Sequence, residues 1–215
     1  MLATAAAAQV PVALVEDVQG TPAGVEFMDY LVPGKSIRLG PSDTIVLGYL
    51  KSCWRETITG GTLTVGAEQS EIKDGKLVRA KVDCDGGKMQ LTSQQADKSG
   101  AMVFRDKPKS SQKAEAKKPE LTLYGLSPVV DIKGGGIMVV ERIDQPGERY
   151  EVAIGGEQML RGAFYDFAKA NKALTAGGTY QASVGTQRIV FKVDQHAQPG
   201  RAPLIGRLLR FQPAS

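Results

Sequence analysis

Apolar and polar residues alternate with a period of two through most of this chain. Ile37, Leu39, Ile45, Leu47 and Tyr49 keep the rhythm on either side of Gly40-Pro41-Ser42-Asp43, and Leu63 and Val65 resume it after Gly60-Gly61. That period marks a half-buried strand, since the apolar face of a helix recurs every three or four residues. Val10 to Val18 and Glu26 to Leu31 read as the first strands, separated by a turn cluster from Gly20 to Gly24. Two Asp-Gly pairs, Asp74-Gly75 and Asp85-Gly86, flank the alternating run from Lys76 to Cys84. Both have the residues that a tight type I′ hairpin demands, so they predict a three-stranded meander ending in Lys88 to Thr92.

The second half repeats the pattern. Leu121 to Ile132 predicts a strand pair or one bent strand, broken near Ser127-Pro128. Ile137 to Ile143 and Tyr150 to Ile154 flank Asp144-Gln145-Pro146-Gly147, whose Pro-Gly suits the centre of a type II turn and predicts a hairpin. Gly134-Gly135-Gly136 is not a phosphate cradle, because a β-branched run and not a helix follows it. Leu160, Phe164, Phe167, Ala168 and Asn171 fall at helical spacing and predict one short helix from about Leu160 to Lys172. Tyr180 to Val184 and Ile189 to Val193 form a last strand pair, and the basic tail with Arg201, Arg207 and Arg210 is either a final strand or a docking segment. The fold class expected is mainly β, in two β-rich domains with one short helix.

Charge defines the organisation. The 14 residues from Arg105 to Lys118 hold six basic and two acidic side chains, a surplus equal to the +4 of all 215 residues. This composition predicts a solvated tether over 105–119, between a domain at 10–104 and another at 120–215. The pI of about 9.0 thus stems from a tether without aromatic residues, which argues against nucleic-acid recognition. Residues 1–9 are rich in alanine and resemble the end of an export signal; otherwise they are a disordered start. No run of apolar residues is long enough to cross a bilayer as a helix.

Cys53 and Cys84 are the two cysteines. Export would pair them, whereas a reducing compartment would leave two buried thiols. The sole histidine, His196, lies in the other half, so a local Cys/His pair is absent. Asp83-Cys84-Asp85-Gly86 lacks the remaining ligands of a calcium loop and reads as a turn. No metal and no cofactor is expected.

Leu31, Gly34, Ile37, Leu39, Gly40, Asp43 and Ile45, followed by Glu56-Thr57-Ile58 and a glycine turn into Leu63-Thr64-Val65, resemble the FecR-type domain over roughly residues 10–72. The resemblance implies an all-β extracytoplasmic module of exported bacterial proteins. A cytosolic anti-sigma segment and a membrane helix are both missing here, so a complete transmembrane regulator is not expected. The second domain is similar to immunoglobulin-like sandwiches, by strand order and by Leu174-Thr175-Ala176-Gly177-Gly178-Thr179-Tyr180.

These readings favour a non-enzymatic periplasmic or secreted adaptor that binds a protein partner in bacterial envelope signalling or assembly. A cell-wall or glycan-binding module is the alternative, and a carboxylate-dependent hydrolase using residues such as Glu16, Asp17, Asp29, Glu56 and Asp83 is the second. Candidate binding residues are Trp54, the only tryptophan, with Arg207 and Arg210. The competing role for Trp54 is core packing beside the cysteines.

Overall fold

A computed structural model describes residues 10–22, 24–87, 119–132, 135–199 and 202–211, with the exception of the Gln158 side chain. The expected strand at Lys88 to Thr92, Arg201, and the tether apart from Pro119 lie outside the described residues. The chain divides into two compact units, one reaching Gly86 and including Pro203–Ile205, the other taking the remainder.

In the first unit, strands β1 (Ala13–Gln19), β2 (Tyr30–Leu31), β3 (Ser36–Tyr49), β4 (Trp54–Val65), β5 (Ser70–Lys73) and β6 (Lys76–Lys81) form one antiparallel sheet. Its order is β2-β1-β3-β4-β5, and β6 also pairs with β4. The alternating residues do what their rhythm implies: Ile37, Leu39, Ile45, Leu47, Tyr49, Ile58, Leu63 and Val65 lie in one buried cluster.

Asp74-Gly75 does not close a hairpin. Strands β5 and β6 lie end to end along the same side of β4, in a single register that pairs Thr62 with Lys73 and Thr59 with Lys76. The pair therefore sits opposite Gly60-Gly61, and β3 slips register between Leu39 and Thr44 at the same level. A crease crosses three strands here, and on β4 the buried phase changes from Glu56 and Ile58 to Leu63 and Val65. Asp74 has φ 57°, Gly60 65° and Gly61 77°, so the positive φ that suggested a hairpin turn serves a bend. A side chain on Gly61 would run into the Lys73 and Asp74 backbone, and one on Gly75 into the Gly60 carbonyl.

In the second unit, β7 (Leu121–Gly125), β9 (Gly136–Arg142), β10 (Arg149–Ile154), β12 (Thr179–Val184) and β13 (Gln187–Gln198) form a sheet of order β10-β9-β12-β13-β7. Strands β8 (Val129–Asp131), β11 (Phe164–Asp166) and β14 (Leu208–Arg210) form another, of order β11-β8-β14. Both contribute to one core, where Val130 and Leu209 join Met138, Val140, Phe191 and Val193. The break at Ser127-Pro128 therefore carries the chain from one sheet to the other. The Pro146-Gly147 turn does join a hairpin, β9 with β10, and β12 pairs with β13. The tail contributes a strand over Leu208–Arg210, since β14 runs parallel to β8.

The short helix expected from Leu160 to Lys172 is replaced by strand β11 between turns. Arg161, Gly162 and Asn171 all have positive φ, which a right-handed helix excludes, and Phe164 to Asp166 pair with β8 instead. The spacing that mimicked a helix still delivers Phe167 to the core, edge-on to the rings of Tyr150 and Tyr165. Tertiary pairing has overridden local periodicity.

Candidate functional site

The most developed polar cluster lies on the inward phase of the first sheet. On β4, Trp54, Glu56 and Ile58 point the same way, and Glu56 is entirely buried. A carboxylate there needs a cation and donors to offset its lost hydration. Arg79, opposite it on β6, donates from Nε to Oε1 at 2.6 Å, and the Ser70 N–H donates to both oxygens at 3.1 and 3.2 Å. Arg79 also donates to the Ser70 carbonyl, and the Ser70 and Tyr49 hydroxyls share a hydrogen bond of 2.9 Å. The half-buried Trp54 ring meets Lys81 Nζ at 4.4 Å and the Arg79 guanidinium at 5.7 Å from its centre. Lys81 is held in turn by the Ser52 carbonyl.

Burial pushes the Tyr49 phenol up from 10.0 to about 12, with the Glu56 charge adding to it against the hydrogen bond from Ser70. Because the folded value exceeds the unfolded one, this contribution to stability is complete below pH 10 and disappears as the pH climbs towards about 12. Urea midpoints measured over that window should fall more steeply for the native protein than for Tyr49→Phe, which has no proton to lose. Equal slopes would disprove the assignment.

Cys53 and Cys84 form a disulfide, with Cα atoms 5.6 Å apart. Cys53 occupies the turn between β3 and β4 with φ 54°, and the Val82 N–H donates to its carbonyl. The bridge thus fastens the end of β6 beside Trp54, whose half-buried ring packs against the core as the reading of core packing beside the cysteines expects.

Glu16 is the other buried carboxylate of this unit. It accepts from Arg55 Nε at 2.8 Å and from the Ile205 N–H at 3.0 Å. Successive β4 residues face opposite ways, so Arg55 and Glu16 lie across the sheet from Glu56. Gly48 makes room there, for a methyl group on it would stand 2.5 Å from Ile205 Cγ2. Asp17 and Asp29 bind the nearby N–H groups of Val18 and Glu26. Glu16 and Glu56, the buried members of the hydrolase set, therefore do not converge.

In the second unit, the candidate binding residue Arg207 is engaged within the fold. It is buried, and it donates to both Asp166 oxygens at 2.7 and 3.3 Å, to the Ser127 carbonyl at 2.9 Å and to the Ala202 carbonyl at 3.1 Å. Arg210 keeps partial exposure, 3.4 Å from Asp131. Tyr180, at the start of β12, donates to Glu148 at 2.6 Å and accepts from the Thr175 N–H at 2.8 Å. Burial and that carboxylate push its phenol well up. His196 is exposed, with Nδ1 3.5 Å from Asp194.

Sequence alternation alone could have flagged Glu56, which sits between Trp54 and Ile58 on an apolar phase, but it sets Arg79 on the polar one, because the apolar residues around it are Val78, Ala80 and Val82. Their pairing across 23 residues leaves no local trace. Among the described residues no group of three or more His, Cys, Asp or Glu side chains is placed to hold a metal ion, and no helix is long and apolar enough to cross a membrane. No protein family, curated protein or solved structure matches the chain.

Proposed function

We propose that this is a non-catalytic extracytoplasmic adaptor of the bacterial envelope, a FecR-like module followed by an immunoglobulin-like sandwich, which recruits a protein partner by strand addition. The observation that carries the reading is the outer edge of β6. The Val82 N–H bonds to the Cys53 carbonyl, so in this antiparallel pair Val78 and Ala80 turn their backbone groups towards β4. Leu77, Arg79 and Lys81 turn theirs outward, where no strand among the described residues meets them. Val78 is 68% exposed beside that edge. A row of donors and acceptors that no described strand takes, with an apolar side chain next to it, suits an extended segment of a partner.

Three further features support the reading. A disulfide suits an oxidising compartment, which is why the adaptor is placed outside the cytoplasm. The order β10-β9-β12-β13 has the C′-C-F-G arrangement of immunoglobulin sandwiches, and Tyr180 bonds back to Thr175 in the manner of their tyrosine corner. The parallel β14 and the lack of cysteines in this unit depart from that pattern. Finally, Glu56, Glu16 and Asp166 are each committed to an arginine of the fold, and Trp54 stacks with two cations of its own, which weakens the hydrolase and glycan readings.

Photocrosslinking residues placed at Val78 and Ala80, and at Thr122 in the second unit as a control, test the proposal in envelope extracts. Discrete adducts with one envelope protein are expected from the first two positions. A pattern no different from that at Thr122 would refute recruitment at this edge.

A further inference from the structure

The open edge of the second unit has the chemistry to recognise itself. The Arg142 N–H donates to the Glu148 carbonyl at 2.8 Å, which fixes the phase of the β9–β10 ladder: Tyr150 and Val152 bond inward to β9. Arg149, Glu151 and Ala153 therefore present their N–H and C=O groups outward, and no strand among the described residues takes them. Natural edges are commonly blunted by bulges, proline, lysine or shortness. The edge along β5 and β6 carries three lysines, Lys73, Lys76 and Lys81, which oppose pairing with a second copy of itself but not with a partner segment of other charge; β7 slips register on β13, and β2, β11 and β14 have two or three residues each. Strand β10 has six residues in unbroken register, without proline or lysine.

Its exposed side chains are of opposite sign two residues apart. Arg149 lies 2.7 Å from Glu151 and 3.3 Å from Glu141, each roughly half exposed. We propose that two copies of this chain associate through antiparallel pairing of β10 with β10, about a two-fold axis at Tyr150. Only residues with outward backbone groups can form the new ladder, and this register sets Arg149 of each copy opposite Glu151 of the other, twice. The neighbouring register, centred on Glu151, sets that carboxylate against itself. Charge selects the first, because opposite charges directly across a sheet attract and like charges repel. Ile137, 62% exposed on the same outward phase of β9 and paired with Ala153, extends the contact with apolar surface. An isologous pairing closes at two copies, since each β10 edge is used once. The inference concerns a different unit and edge from the adaptor reading and stands independently of it.

Sedimentation equilibrium of the full chain, up to about 1 mM at low salt, where weak specific association is still measurable, tests it. A monomer–dimer equilibrium is expected. Arg149→Glu or Glu151→Arg should each weaken the dimer by about tenfold or more, as two favourable contacts become repulsive, and the double reversal should restore it. Glu151→Pro, which removes the carboxylate and an N–H that points away from β9, should abolish it while the circular dichroism spectrum is kept. A monomer throughout, open-ended association, or a double reversal as weak as the single ones would overturn the proposal.

Discussion

Replacing Arg207 with leucine should lower the unfolding free energy by about 3 to 5 kcal/mol, the usual cost of leaving a buried charge without its partner. Its guanidinium holds both Asp166 oxygens and the Ser127 carbonyl, and with Asp166 it is nearly excluded from solvent. Leucine fills part of the volume but leaves the carboxylate, among the described residues, only the Ala168 N–H. Urea unfolding followed by circular dichroism measures the loss. Adding Asp166→Asn should recover part of it, because an amide tolerates burial better than an isolated anion. If the double variant were as unstable as the sum of the two single ones, the ion pair would not be the origin of the effect.

Loss of the Cys53–Cys84 bridge should be nearly as costly. The bridged cysteines are separated by 31 residues in sequence, and the chain-entropy account gives about 3 to 4 kcal/mol for a loop of that size. The double serine variant, or the native protein under reducing conditions, should therefore unfold at distinctly lower urea. Trp54 adjoins Cys53 and packs on the core of this unit, so its fluorescence reports the transition directly. A change below about 1 kcal/mol would mean that the reduced unfolded chain is already restricted, and would defeat the entropic argument.

Much of the architecture could be read from alternation, because a half-buried strand writes its two faces into successive residues. The β9–β10 hairpin was equally legible, since Pro146-Gly147 specifies its own turn. The failures share one cause. Asp74-Gly75 declares positive φ without declaring what the backbone does with it, and a bend across a sheet uses the same residues as a hairpin. Leu160, Phe164 and Phe167 declare a shared apolar side, which a strand between turns provides as well as a helix. The polar clusters were less visible, because Glu56 finds Arg79, Glu16 finds Arg55 and Asp166 finds Arg207 only once distant strands are brought together. Arg207 stood out as one arginine of a basic tail, and nothing local distinguishes a solvated arginine from one committed to the interior.

The crease in the first sheet has a bearing on ancestry. Gly61 and Gly75 abut main chain, so no compensating side-chain change elsewhere can accommodate a larger residue at either. Two glycines 14 positions apart, one on β4 and one between β5 and β6, must then be inherited together or be lost together with the bend itself. Distant relatives whose remaining residues have drifted beyond recognition should still preserve that doublet at that separation.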